Sequence, residues 1–208
     1  MKVGILGSGN VGQALAKGLL DTGHQVWLSS REPEGDKARQ IKADLSGAEV
    51  TDFATAASEG ELIILAVTWD GAQAAVEAAG VENLAGKIVV DTSNVIAMDG
   101  DTMVYGFPEQ SAAAQVQQWL PDSKVVKAFN NTGAAMMYHP KLSATPTMFI
   151  AGDDQEAKQQ VIDTLVTPFG WDVLDSGPLV AARELEAMAL VWIRNSAVSG
   201  VEHAFKML

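Results

Sequence analysis

Residues 1–15 read MKVGILGSGNVGQAL, in which a short apolar strand pattern leads into GSGNVG at residues 7–12 and then into a helical pattern. In such a strand–loop–helix context, Gly7 permits the tight turn, Gly9 lets the backbone approach a pyrophosphate, and Gly12 allows close helix–strand packing. The start of the helix offers free N–H groups and a partial positive charge. The motif predicts a dinucleotide-binding loop. The alternative is a glycine-rich turn between a strand and a helix.

The end of the second strand points to the type of dinucleotide. Residues 24–37 read HQVWLSSREPEGDK, without the acidic side chain that usually accepts the ribose 2′-hydroxyl of NAD at this strand end. Ser30 and Arg31 are suited to a 2′-phosphate, through charge-assisted bonds worth roughly 1.5–3 kcal/mol, and Lys37 adds a second positive charge. The pattern therefore favours NADP over NAD. In the alternative interpretation Arg31 is merely solvated and Glu32 is a displaced ribose acceptor.

Composition and charge limit the classes of partner. The chain has 208 residues, 48% of them apolar, a net charge of -12 and no cysteine. Such a charge disfavours nucleic acid and anionic membranes, and the missing cysteines exclude a disulfide framework. The N-terminus lacks the pattern of a signal peptide, and the longest apolar runs, residues 62–67 and 187–193, are shorter than a membrane span. From these features we expect a soluble, cytoplasmic protein. The three histidines have no ligand spacing, so we also expect no metal site.

Strand and helix patterns alternate along most of the chain. This alternation predicts a doubly wound, Rossmann-type α/β fold, in which helices cover both faces of a parallel sheet. The predicted strands are residues 3–6, 25–28, 62–67, 87–91, 124–129 and 147–151. Residues 131–146 form the longest irregular stretch, and we expect them to run over the surface.

The C-terminal part of the chain has a different pattern. We divide the protein into an NADP-binding Rossmann domain, residues 1–178, and a helical segment, residues 179–208. An apolar stripe is predicted along one side of that segment, either as core or as a contact between subunits, and spacing alone favours core. The stripe consists of Leu185, Met188, Val191 or Trp192, Val198, Val201 and Phe205.

Six stretches in this order resemble a known family. They are GSGNVG (7–12), SSRE (29–32), VTWD (67–70), DTSN (91–94), KVVKAFN (124–130) and LDSGPLVAARELE (174–186). Over nearly its whole length the chain resembles the F420-dependent NADP oxidoreductases, and also the amino-terminal reductase domain of the STEAP-type ferric reductases. The resemblance implies NADPH lying across the carboxyl ends of the strands, direct hydride transfer to a small planar acceptor such as F420, a related deazaflavin or a flavin, and a homodimer.

The resemblance also assigns cofactor-binding residues. It implies a pyrophosphate loop, a clamp for the 2′-phosphate, contacts to the inner ribose and nicotinamide, and a carboxamide side. These residues are Gly7, Ser8, Gly9, Asn10, Val11 and Gly12, then Ser30, Arg31 and Lys37, then Val67, Thr68 and Trp69, and finally Ser93 and Asn94. Two of these assignments have a simpler structural interpretation. Trp69 is also suited to cap the core, and residues 91–94 are also a common turn sequence.

The acceptor half of the site departs from the family pattern. The resemblance implies a histidine at the position of Asn130, an arginine at Arg183, and serine and threonine at Ala187 and Ala189. We take Asn130 and Arg183 as the catalytic candidates, whereas the two alanines have no hydrogen-bonding side chain. Weak or no use of F420 is therefore expected. The predicted pocket is apolar, with Arg183 as its one cation and a lining of Trp69, Ala187 and either Met136 or Met137.

Two other functions are compatible with the sequence. One is a non-catalytic NADP(H)-sensing module, in which side chains would fill the slot beside the nicotinamide. The other is an imine reductase of the pyrroline-carboxylate type, which shares the N-terminal motif. That class needs a long helical dimerisation domain, and the roughly 30 residues after Leu179 are few for it.

Overall fold

The computed structural model describes residues 1–106 and 109–208. Its strands are β1 (Lys2–Leu6), β2 (Gln25–Ser29), β3 (Ala48–Thr51), β4 (Leu62–Leu65), β5 (Ile88–Asp91), β6 (Ile96–Asp99), β7 (Thr102–Tyr105), β8 (Lys124–Lys127), β9 (Thr147–Gly152) and β10 (Asp172–Asp175). Its α-helices are α1 (Asn10–Asp21), α2 (Asp36–Asp44), α3 (Phe53–Glu59), α4 (Trp69–Ala79), α5 (Val81–Leu84), α6 (Ala112–Trp119), α7 (Gln155–Val161) and α8 (Ala182–Ser199).

Eight strands form one sheet in the order β10-β9-β8-β5-β4-β1-β2-β3. From β3 to β8 every neighbouring pair is parallel, so these six strands all end at the same edge. The register pairs Ile5 with Leu28 on one side and with Ile64 on the other. The doubly wound, Rossmann-type fold is thereby confirmed, and each of the six predicted strands is present within two residues of its expected bounds.

The sheet is not parallel throughout. Strand β9 pairs antiparallel with β8, and β10 is parallel to β9, so the last two strands end at the opposite edge. Between β8 and β9, residues 128–146 contain one short 3-10 turn and no α-helix, and thus lack the helical crossover that usually joins parallel neighbours.

Four of the described strands were not predicted from the sequence. Strands β3 and β10 are four-residue edge strands, and each contains two polar residues among its four. Strands β6 and β7 form a hairpin outside the main sheet, closed by the two-residue turn Gly100-Asp101. A Gly-Asp pair between two short apolar runs is a known hairpin signal, so this element was predictable.

The core lies in two layers, one on each face of the sheet. One cluster contains Leu15 and Leu19 of α1, and the other contains Val76 of α4. Leu179 and Leu185, from the C-terminal segment, belong to the second cluster. The division at residue 178 remains a prediction, although the segment after it packs on the same sheet.

The sequence predicted a helical segment up to residue 208, but the chain is not helical up to its end. Helix α8 stops at Ser199, where Gly200 adopts a φ of +79°, and the following residues fold back towards β9. There the carbonyl oxygen of Phe205 accepts from Thr147 N at 2.8 Å. The assignment of the stripe to the core is wrong for its outer part, since Val191 is 56% and Val198 87% exposed.

Residues 131–146 are irregular, but the expected surface course is wrong for their first half. Asn131 is 3% exposed, and Met136 and Met137 lie in the cluster that contains α1. Trp192 of α8 packs against Gly133, where a Cβ atom would lie 2.7 Å from the indole ring. The segment is therefore enclosed between α1 and α8.

Candidate dinucleotide-binding site

The turn after β1 has a backbone shape that requires glycine. Gly7 has a φ of +120°, and a Cβ atom there would lie 2.4 Å from the carbonyl oxygen of Ala66. The amide N–H of Gly7 donates to the buried Ser29 Oγ at 2.9 Å. This bond joins the turn to the end of β2, so that the first two strand ends form one rigid edge.

The start of α1 is open to an anion. Gly9 is its N-cap residue, no side chain caps the helix, and a Cβ atom at Gly9 would meet nothing within 4 Å. At Gly12 the same atom would lie 2.0 Å from Gly7 O, so only glycine allows this close packing. The uncapped N–H groups and the helix dipole are therefore presented to an open space that suits a pyrophosphate.

A cavity of about 1010 Å³ lies along the carboxyl ends of β1, β2, β4 and β5. Its lining combines the glycine loop, the end of β2, the start of α3, the first turns of α4 and the loop after β5. The predicted residues that line it are Gly7, Ser8, Gly9, Asn10, Val11, Ser30, Arg31, Lys37, Val67, Thr68, Trp69, Ser93 and Asn94. Gly12 is the one predicted cofactor residue outside the lining, and it is buried beneath the loop.

One end of the cavity carries positive charge. Arg31 and Lys37 are exposed, and neither forms an ion pair with any described residue. By contrast, Arg39 on α2 bonds to Asp36 and to the carbonyl of Glu34. Ser30 Oγ accepts from Glu32 N at 3.2 Å, which leaves its own hydrogen available. Two cations and a hydroxyl donor thus lie together at this end of the cavity, and such a set is suited to an anionic group.

The other end of the cavity is lined by an aromatic ring and by the polar loop after β5. Trp69 stacks on Trp119 of α6, with ring centroids 5.4 Å apart and an interplanar angle of 10°, and it also lines the cavity. Trp69 therefore both packs on the domain and faces the site. Ser93 Oγ donates to the buried carboxylate of Asp91 at 2.7 Å, and this bond fixes the loop that carries Asn94.

The two catalytic candidates do not line this cavity. Asn130 is 4% exposed, and its Nδ2 donates to Asn94 Oδ1 and to the carbonyl of Leu185, both at 2.9 Å. It therefore connects the ends of β5 and β8 to α8. Arg183 is exposed on the first turn of α8. Their roles towards an acceptor stay predictions, as does the apolar lining by Ala187, whereas Met136 and Met137 lie in the core.

Unpartnered polar atoms follow the end of β8. Asn130 Oδ1, Asn131 Nδ2 and Thr132 Oγ1 are buried and have no hydrogen-bond partner in the described part of the chain. Each such atom costs free energy unless a water or ligand group satisfies it. Three such atoms lie in consecutive residues at the end of β8, next to Asn94. This concentration indicates that the strand end has a role beyond packing.

Several residues of the site were missed from sequence. Asp52 and Phe53 at the start of α3, together with Thr92 and Ile96, also line the cavity. Isolated residues of this kind carry no motif. Beneath the loop after β5 lies a fully buried cluster of Asp91, Lys127 and Glu186. The lysine inside the apolar run KVVKAF was a usable signal for it, because lysine is almost never fully buried unless it is paired.

Electrostatic effects in that cluster are strong. Burial lowers the pKa of Lys127, but the charges and hydrogen bonds of Asp91 and Glu186 outweigh it and raise this pKa above its ordinary value. Burial, with the charge of Glu186, raises the pKa of Tyr105 in the hairpin. Lys127 is therefore a cation and Tyr105 a neutral phenol at neutral pH.

Among residues 1–106 and 109–208, no group of three or more acidic, histidine or cysteine side chains is arranged to hold a metal ion. None of the described helices has the length and apolar character of a membrane span.

The geometry defines a class of protein: a Rossmann-type α/β domain with a glycine loop and a cavity along the carboxyl ends of its parallel strands. The profile of the family described as "NADP oxidoreductase coenzyme F420-dependent" matches residues 2–95. The F420-dependent NADP reductase of Methanocaldococcus jannaschii is 32% identical over 90% of this chain and 89% of its own length. A crystal structure named as an F420-dependent NADP-reductase, from Arthrobacter sp. FB24, is 33% identical, with a TM-score of 0.92 over 100% of this chain and 99% of that one.

The chain therefore belongs to the F420-dependent NADP reductase family, a family of NADP-dependent oxidoreductases. Metalloreductase STEAP3 of Rattus norvegicus is 35% identical over 91% of this chain, which spans 36% of that longer protein. An imine reductase from Streptomyces aurantiacus, 22% identical with a TM-score of 0.71, shares the fold.

Proposed function

We propose that this protein transfers a hydride between NADPH and a small planar acceptor, an F420-like deazaflavin, a flavin or a related ring. The observation that carries the proposal is the single cavity along the strand ends. It combines an uncapped helix start, two cations that form no ion pair with any described residue and, at the far end, the loop that carries Ser93 and Asn94. These three features match the pyrophosphate, the 2′-phosphate and the nicotinamide of NADPH, in that order.

The residues fit this cofactor chemically. Gly9 leaves room for the pyrophosphate beside the N–H groups of α1, and Arg31 with Lys37 neutralises the 2′-phosphate. At the other end, Ser93 and Asn94 hold the carboxamide, and Thr68 and Trp69 lie against the inner ribose and ring. When bound, NADPH supplies the hydride, and the protein orients the two rings and excludes water.

The acceptor side is more apolar than the family pattern implies. Ala187 and Ala189 replace hydrogen-bonding residues, and Asn130 uses its Nδ2 group to connect Asn94 to α8. We therefore propose that F420 is a poor acceptor, and that Arg183 holds the acid group of a flat, partly anionic ring. Such a site needs little acid–base chemistry, because hydride transfer depends mainly on alignment.

A panel of acceptors tests this function. NADPH oxidation is followed at 340 nm with F420, FMN, FAD, ferric chelates and quinones, with and without the protein. We expect protein-dependent oxidation with at least one flat-ring acceptor and a weak rate with F420. NADPH binding without oxidation by any member of the panel would support the sensing module instead, and F420 reduction as the fastest reaction would contradict the assignment of the acceptor side.

We also propose that two copies of the chain associate, as the family resemblance implies. The outer face of α8 supports this, since Val191 and Val198 are exposed there and Val201 follows. The expected mass from light scattering is twice that of the 21.9 kDa chain, and Val198→Glu should halve it. A wild-type protein of single-chain mass would contradict the dimer. The cytoplasmic location stays a prediction.

A further inference from the structure

A buried ionic cluster lies directly beneath the end of the cavity that Ser93 and Asn94 line. The side chains of Asp91, Lys127 and Glu186 are all 0% exposed. Lys127 Nζ is 2.8 Å from Asp91 Oδ2 and 2.8 Å from Glu186 Oε1, and it also donates to the carbonyl oxygen of Ser93. The cluster thus connects the ends of β5 and β8 to α8.

Both carboxylates of the cluster are surrounded by donors. Glu186 accepts from Lys127 and from the amide N–H groups of Ala112 and Ala113, at 3.0 and 3.3 Å, at the start of α6. Asp91 Oδ1 accepts from the Ser93 N–H at 3.1 Å and from Ser93 Oγ at 2.7 Å, and Asp91 Oδ2 accepts from Lys127. These donors are fixed in position, and each carboxylate accepts more than one of them.

The cluster consequently holds one positive and two negative charges. The start of α6 offsets about half a charge of this excess, and Arg183 nearby is exposed to water and screened. A net negative charge therefore remains in a region without solvent. Apolar side chains of similar volume usually stabilise a fold at least as well as buried ion pairs do. Stability alone is a weak reason for an unbalanced triad at this place.

Ser93 connects the cluster to the cavity. Its backbone carbonyl and its hydroxyl both bond to cluster members, and the same residue lines the end where the proposed function places the nicotinamide. One residue thus separates the excess charge from the ring. Because the cluster is fully buried, its charges are screened less by water than charges on the surface are.

The nicotinamide changes its charge during the reaction. Loss of the hydride, a proton with two electrons, to the acceptor turns the neutral dihydronicotinamide into a cationic ring, while the rest of the cofactor is unchanged. We propose that the Asp91–Lys127–Glu186 cluster stabilises this cationic ring, so that the protein binds NADP+ more tightly than NADPH and favours NADPH as the hydride donor. The inference rests on the proposed function and adds a direction to it.

The wild-type protein gives the first test. The dissociation constants of NADP+ and NADPH are measured by isothermal titration calorimetry without an acceptor. With the net charge reduced by α6, we expect NADP+ to bind about fivefold more tightly, from Coulomb's law at an effective dielectric constant of about 20. This ratio corresponds to a potential of the bound couple about 20 mV below that of the free couple. Tighter binding of NADPH would overturn the proposal.

Charge variants give the second test. Glu186→Gln and Asp91→Asn each remove one negative charge, so each should shift the ratio of affinities at least about fivefold towards NADPH. The double variant Lys127→Met with Glu186→Gln restores the excess of one negative charge and should return the ratio towards wild type. Asp175→Asn is the matched control, since Asp175 pairs with the buried Lys158 at 2.8 Å at the opposite edge of the sheet.

The outcomes separate this inference from the proposed function. If neither nucleotide binds to the wild-type protein, the proposed function and the inference both fail. If both bind, but Asp91→Asn leaves the ratio unchanged, the inference alone is wrong. If the double variant binds both but keeps the ratio of Glu186→Gln, the cluster acts through shape and the inference is again wrong. Should Glu186→Gln fail to fold, the wild-type ratio and Asp91→Asn still decide.

Discussion

Replacement of Arg31 by alanine tests the clamp for the 2′-phosphate. Arg31 forms no ion pair with a described residue and faces the cavity, so its loss leaves no buried group unsatisfied. A charge-assisted hydrogen bond is worth roughly 1.5–3 kcal/mol. Because Arg31 is exposed, we take the lower figure, which corresponds to about a tenfold weaker affinity for NADPH. NADH lacks the phosphate, and its affinity should not change.

The assay is a titration of both nucleotides against three proteins. The wild-type protein should bind NADPH at least about tenfold more tightly than NADH, and Arg31→Ala should remove most of this difference. Arg39→Ala removes the same charge from a residue already bonded to Asp36 and Glu34, and should leave the ratio within about twofold. Equal affinities in the wild-type protein, or an equal loss for NADH in Arg31→Ala, would refute the reasoning.

Three further changes test other parts of the site. Ser29→Ala leaves the buried N–H of Gly7 without its acceptor, so thermal or urea unfolding should show a loss of about 1–3 kcal/mol; an unchanged free energy of unfolding would mean that the bond does not anchor the turn. Arg183→Ala should lower kcat/KM for the acceptor and leave NADPH affinity nearly unchanged; loss of NADPH binding would place Arg183 at the cofactor instead. The raised pKa of Lys127 contributes stability that is complete below its ordinary value of 10.5 and is lost as the pH rises through the folded-state value. Urea unfolding between pH 9 and 12 should therefore show a steep alkaline loss that is smaller in Lys127→Met; equal slopes would contradict the assignment.

Much of the cavity lining was predictable because local sequence determines it. The glycine loop needs particular residues at fixed spacings, and at Gly7 and Gly12 a side chain would collide with backbone. The charge at Arg31 follows directly after a strand, so its position at the sheet edge follows from the register. These are local constraints, and they can be read from a single stretch of chain.

The acceptor half depends on contacts between distant parts of the chain. Asn130 bonds to Asn94 and to Leu185, which lie 36 and 55 residues away, and nothing near Asn130 indicates these partners. The same holds for Glu186 and Lys127. Such pairings arise only when β5, β8 and α8 come together, so sequence spacing carries no direct sign of them.

The C-terminal tail and the direction of β9 differed from the sequence-based predictions for a related reason. Helical periodicity continues past Ser199, but Gly200 ends α8, and the hydrogen bond from Thr147 to Phe205 holds the tail against β9. Here a tertiary contact outweighed the local pattern. The reversed direction of β9 likewise depends on the path of residues 128–146. The sequence of the strand itself does not indicate that direction.

Energy transfer from tryptophan to bound NADPH tests the central claim most directly. Trp69 lines the cavity at the end where the nicotinamide is placed, so excitation of tryptophan near 290 nm should produce saturable NADPH emission near 450 nm. We expect this signal in the wild-type protein and none in Gly9→Val, whose side chain would project into the space for the pyrophosphate. Saturable emission of equal size in a natively folded Gly9→Val protein, or none in the wild type, would contradict it.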